Sequence, residues 1–399
     1  MDTKNRLFGV HPDVIRLGAV SFLTDLSSEA IFSVFSIFFT MVAGASTALL
    51  GLVEGFADFS ASSLDYLAGW LSDRSGKRKS LTLVGYGFSA LAKMSLLIAS
   101  SVTSLALFRV IERLGKSFRG APRDAWLSDV AAESNRGYAF GLHKAMDKMG
   151  AILGPIVAYL ILNSLGQTIH AFRIIFIGAV VSAVLAVVAL SLMKDRPGVK
   201  HERENIFKSW DTLNKGFKIY LIPAGIFSLA YFSFGFLLLR AYTIGFAIKD
   251  VVLLYALFNI VFVVVSLPIG KLGYLIGRKY LVILGYLIYI TMSLGFVFVT
   301  QKWQVIVLFI LFGVFYNIDE AQGKAFVSDM EKERRATAIG MYNFVTGLAY
   351  LPASVIAGIL WTLNITYAFI FSAGITTIAL CVFLVLKPKI IGERNNNIN

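Results

Sequence analysis

The sequence has a single cysteine, Cys381, so an intrachain disulfide and a cysteine-based metal cluster are both excluded. Its four histidines, His11, His143, His170 and His201, are scattered without metal-ligand spacing, and no metal or cofactor is expected. Gly-x-x-x-x-Gly-Lys-Ser/Thr is absent, which argues against direct coupling to ATP, and no catalytic constellation marks an enzyme. Charge is scarce as well. Only 15% of the residues are charged, against roughly 25% in an ordinary soluble domain. Disordered, fibrous and ordinary cytosolic chains are thereby excluded.

What fills the space is apolar: 57% of the 399 residues, with a mean hydropathy of +0.73. About 20 apolar residues in a helix cross a hydrocarbon core of about 30 Å. Twelve such stretches fit the chain: 14–43, 46–71, 80–99, 104–130, 137–164, 170–193, 219–241, 250–276, 280–299, 303–329, 336–361 and 364–386. The run 174–192 does not alternate, so helices rather than barrel strands satisfy the backbone within lipid. The first span is too long for a signal segment and contains Asp25 and Glu29, so it is expected to remain in the mature protein.

Connections on one side carry nearly all the loop Lys and Arg; the other side has Lys249 and Lys302 alone. The positive-inside rule then places both termini in the cytoplasm. The formal charge of +13 is explained by anionic headgroups, without nucleic acid. The polar stretch 194–218 divides the chain into a six-helix bundle (1–193), a linker, a second six-helix bundle (219–387) and a tail (388–399). The expectation is an all-α membrane protein of twelve transmembrane helices in two pseudo-symmetric bundles.

Two landmarks recur about 200 positions apart. Gly69-Trp-Leu-Ser-Asp73-Arg74-Ser-Gly76-Lys77-Arg78 returns as Gly270 to Gly277-Arg278-Lys279, and Ser128-Asp129 returns as Ser328-Asp329. Related halves are a mark of secondary transporters, whose site lies near the midplane where they meet. The first of these segments resembles the loop signature of the major facilitator superfamily at every defining position. That resemblance implies a twelve-helix permease in which Gly69, Asp73, Arg74 and Gly76 latch the cytoplasmic helix ends. In the second copy Tyr274 and Leu275 stand where Asp73 and Arg74 would align, so half of the latch is absent there. Gly150-x-x-x-Gly154-Pro155 resembles an element of the family's proton-coupled exporters, but Ala158 and Tyr159 replace its further glycines.

Ionisable groups in a bilayer are costly and normally face the bundle interior or a wet cavity. Asp25 and Glu29 are one helical turn apart, as are Glu54 and Asp58. Two such carboxylates repel unless a cation is near or one keeps its proton, which is what a proton-coupling site requires. Lys93, Arg109, Arg113, Lys116 and Lys144 are candidate solute contacts in the first half, with Asp319, Glu320, Tyr342 and Asn343 in the second. Arg123, Asp124, Asp129 and Arg136 lie near the cytoplasmic end, where gating is expected. For any one charge the alternative is a structural ion pair fastening two helices.

The chain therefore reads as a proton-coupled secondary transporter of a small polar solute, anionic or zwitterionic because Arg forks suit carboxylate or phosphate. It is expected to work by alternating access, as a monomer, in a bacterial inner membrane. The alternative is a membrane sensor or partner subunit that keeps the fold without transporting.

Overall fold

The computed structural model describes residues 9–131, 135–195, 210, 213–331 and 335–387. The connection 196–209 and the tail 388–399 lie outside them. The first half contains α1 (Pro12–Ile37), α2 (Thr47–Ser63), α3 (Asp65–Ser75), α4 (Arg78–Leu96), α5 (Val102–Val130), α6 (Arg136–Leu165) and α7 (Ile169–Ser191). The second contains α8 (Lys215–Ala230), α9 (Gly235–Thr243), α10 (Ile248–Ile276), α11 (Arg278–Phe298), α12 (Lys302–Asn317), α13 (Lys324–Met330), α14 (Arg335–Leu363) and α15 (Ile365–Leu386). Two π-helical turns, Phe38–Val42 and Ile318–Gly323, extend α1 and join α12 to α13.

Polar side chains set the helix starts. The Ser46, Thr168 and Asn364 side chains accept from the Leu49, Ala171 and Thr366 amides, and Ser101 with Ser104 forms a capping box on α5. Gly76, at φ +68°, ends α3 in the left-handed region that glycine adopts freely, so α4 can begin two residues later. The expected span 219–241 is broken between α8 and α9, and 303–329 runs through the π turn before Lys324.

Among the described residues nine helical stretches are long and apolar enough to cross a membrane by length and composition. The stretches 47–75, 78–96 and 102–130, rich in buried charge, fall short of that measure.

Within the first half, α1 packs on α6 and α7, and α4 on α5; within the second, α8 and α11 pack on α15, and α10 on α12. Between the halves α2 lies against α14, α6 against α10, and α1 against α9 and α10. The α2–α14 approach is backbone-close: a Cβ at Gly55 would stand 2.8 Å from the Leu351 carbonyl oxygen. The turns holding Gly76 and Gly277 and the ends near Asp129 and Asp329 share one end of the bundle, the latch end.

Candidate functional site

A cavity of about 430 Å³ lies between the halves, in the size range of small-molecule sites. α1, α2, α5 and α6 supply its charged side: Asp25, Glu29, Asp58, Arg113, Lys116, Arg119, Arg123, Lys144, Asp147 and Lys148. The second half answers with rings, namely Tyr231, Phe234, Tyr255, Phe258, Tyr316, Tyr342 and Tyr350, together with Asn259, Asn343, Asp319, Glu320 and Lys324. Away from the latch end, Tyr255 meets Phe32 and Phe234 edge to face at centroid distances of 5.4 and 5.2 Å, and Phe32 and Phe234 lie tilted 6.5 Å apart. The Tyr255 hydroxyl donates to the Glu29 carboxylate, tying α10 to α1 across the halves. Beyond that layer Phe35, Phe39, Phe236 and Leu237 are fully buried, and Lys249 Nζ donates to Asn163 Oδ1 at 2.8 Å. The end opposite the latch is closed.

The candidate residues divide into two groups. Glu54, Arg109 and Lys93 do not line the cavity. Glu54 is wholly buried, and its two carboxylate oxygens take Arg109 Nε at 2.7 Å and Nη2 at 2.9 Å, a two-pronged pair with a third bond from Ser233 at 3.1 Å. Arg109 also meets Glu112 at 3.3 Å and covers the Phe32 ring at 4.5 Å. Lys93, also fully buried, donates to Ser28 at 2.8 Å, and Ser28 donates to Glu112 at 3.1 Å. Every one of these polar groups is satisfied inside the first half or at its seam, so they fasten helices.

The cleft wall is different. Asp25, Asp58, Lys116, Asp319 and Glu320 are half-buried and make no ion pair among the described residues. Among the described residues Arg113 pairs with Glu112 alone, at 3.9 Å, lies over the Phe32 ring at 5.4 Å, and leaves its buried Nε without a hydrogen-bond partner. Lys144 and Arg123 lean on Asp147 at 3.5 and 3.9 Å, and Lys148 covers the Phe262 ring of α10 at 4.3 Å.

At the latch end the hub is Arg78, which the sequence reading did not single out. It is buried and binds Asp73 at 2.6 Å, Ser72 at 2.8 Å and Asp129 at 3.3 Å. Arg74 instead is exposed and lies over the Trp70 ring at 5.2 Å. The second half keeps Arg278 with Asp329 at 2.8 Å, while Tyr274 is 91% exposed. Arg123 donates to Ser21 at 3.1 Å and pairs with Asp124 at 2.9 Å, and Arg136 is exposed at the start of α6. Gly69 is buried in α3. The sequence reading passed over Tyr231, Tyr255 and Tyr316, which sit in apolar runs of core composition. The polar hydroxyls inside those runs were the available signal.

A helical membrane protein whose two halves enclose a charged and aromatic cleft is built as a transporter. Comparison with known proteins agrees. The sequence model of the Major Facilitator Superfamily matches residues 17–252 and again 226–397. An uncharacterized MFS-type transporter of Methanocaldococcus jannaschii is 35% identical over 92% of this chain and 93% of its own. Multidrug resistance protein 2 of Bacillus subtilis is 24% identical over 85% of this chain and 86% of its own. Among solved structures, nucleoside transporter NupG superposes with a TM-score of 0.76 at 16% identity, covering 94% of this chain and 99% of that one. The chain belongs to the major facilitator superfamily: it is a multi-pass integral membrane protein, a secondary transporter of small-molecule solutes and not an enzyme.

Proposed function

We propose that the protein moves a small anionic or zwitterionic solute by alternating access, coupled to protons, with twelve spans in two six-helix bundles and both termini in the cytoplasm. The latch end is then cytoplasmic, and the cleft faces inward. The protein works as a monomer in a bacterial inner membrane.

One observation carries this reading: among the described residues charges of both signs stand on the cleft wall without ion-pair partners, while Glu54, Arg109 and Glu112 nearby are paired with one another. Unpaired charge within a membrane is costly, so a wet cleft with a charged occupant is the reason to keep it. Arg113 and Lys116 present donors suited to a carboxylate or phosphate, with Lys144, Tyr342 and Asn343 nearer the latch end. Asp25 and Asp58 carry the coupling proton beside these cations. Glu29, held by Tyr255 across the seam, links proton binding to closure. Arg78, Asp73 and Asp129 hold the latch.

Purified protein in proteoliposomes, screened against a broad solute panel with and without an imposed pH gradient, tests the proposal. Flux that rises with the gradient and loses that response in Asp25→Asn or Asp58→Asn is expected. Flux indifferent to the gradient contradicts the coupling. A second reading, export of amphipathic compounds, is favoured by the aromatic second-half wall and the similarity to a multidrug resistance protein. Lowered cellular solute on expression distinguishes export from uptake.

A further inference from the structure

Beside the main cleft a much smaller cavity, about 10 Å³, lies within the second half. It holds one water-sized occupant. Asp319 and Tyr342 line both spaces, so the smaller is a side pocket of the cleft. Asp319 stands on the π-helical turn Ile318–Gly323, a backbone irregularity that recurs at functional sites. Among the described residues its carboxylate accepts no hydrogen bond and joins no ion pair; Lys324, the nearest cation along the chain, does not reach it.

Four of the nine remaining wall residues are rings. Tyr220 and Tyr342 stack with centroids 6.1 Å apart and planes 4° from parallel, and Phe227 and Tyr286 stack at 4.7 Å and 29°. A Cβ at Gly323 would stand 3.3 Å from the Tyr342 hydroxyl oxygen, so glycine leaves that ring its place. Ring faces are negative, and a carboxylate set among them favours a cation small enough for the space. An alkali ion needs a shell of oxygens, which a wall of rings does not supply. A trimethylated ammonium is too large.

We propose that this side pocket receives the primary ammonium group of the transported solute, whose acidic end meets Arg113 and Lys116 across the cleft. The assignment rests on the cleft being the solute site, and it narrows the solute to a zwitterion with a primary amine.

The test is the thermal unfolding midpoint of the full-length protein in detergent with methylammonium chloride, tetramethylammonium chloride or sodium chloride at equal concentration. A separate arm uses sodium acetate. At about ten times its dissociation constant methylammonium raises the midpoint by about 2 °C or more. Sodium and tetramethylammonium raise it less. Asp319→Asn abolishes the methylammonium shift, and Tyr286→Leu, which keeps the acid, weakens it and decides the matter if Asp319→Asn does not fold. An undiminished methylammonium shift in these variants, an equal shift with sodium or tetramethylammonium, or no methylammonium shift overturns the assignment. The acetate arm reads the other face: its shift survives Asp319→Asn and disappears in Lys116→Gln. Loss of the acetate response alone counts against the cleft reading and leaves the side pocket standing.

Discussion

The two halves divide the labour unequally. At the latch end the first half binds Asp73, Ser72 and Asp129 to a buried Arg78, whereas among the described residues the second has the partly exposed Arg278, held by Asp329 and the Ala325 carbonyl. At the cleft the first half contributes ten of the thirteen charged residues and the second contributes most of the rings.

The strongest test of this division lies in the buried network of the first half. Glu54→Gln takes the two-pronged countercharge from the buried Arg109 guanidinium and leaves it the longer contact with Glu112 at 3.3 Å, and a loss of about 3–5 kcal/mol is expected, read as a lowered unfolding midpoint. Replacing both partners with leucine recovers much of it.

Lys116 has no such partner. Lys116→Gln changes stability within about 0.5 kcal/mol, yet it lowers solute flux tenfold or more, about 1.4 kcal/mol in the barrier. An equally stable and equally active variant would erase the distinction between fastening charges and cleft charges.

The latch asymmetry gives a paired comparison. Arg78→Ala removes buried bonds to two aspartates and costs about 1–3 kcal/mol. Arg278→Ala breaks a pair about one-third exposed on both sides and costs about 0–1 kcal/mol. Denaturant titration of the two variants side by side checks the ratio.

Smallest is Tyr255→Phe, which deletes the Glu29 bond across the seam and shifts the balance by about 1 kcal/mol toward opening at the far end. Faster thiol modification of Leu237→Cys, buried beyond that layer, in a Tyr255→Phe and Cys381→Ser background reports the shift.

The helices, the repeat and the charged character of the first half were legible in the sequence, because hydropathy and spacing encode them directly. The roles of single charges were not. Glu54 and Asp58 share a helical stripe, but one turn of depth puts the first against Arg109 and the second on the cleft wall. Periodicity gives a face; only packing gives a neighbour. Arg78 was within reach, since its position stays basic in the second copy, as Lys279 beside Arg278, while Arg74 has no basic counterpart. The tyrosines of the second wall were hidden because a ring inside an apolar run looks the same whether it meets core or solute.

The central claim is that solute passes through the cleft between the charged and aromatic walls. The most direct measurement is labelling of Asn343→Cys, in a Cys381→Ser background, by a membrane-impermeant thiol reagent applied from the side bearing the Gly76 and Gly277 turns. Rapid modification with loss of flux is predicted, with Ser293→Cys, buried against Ser372 at 3.3 Å, left unmodified. Protection of Asn343→Cys as complete as that of Ser293→Cys, with flux intact, would contradict it.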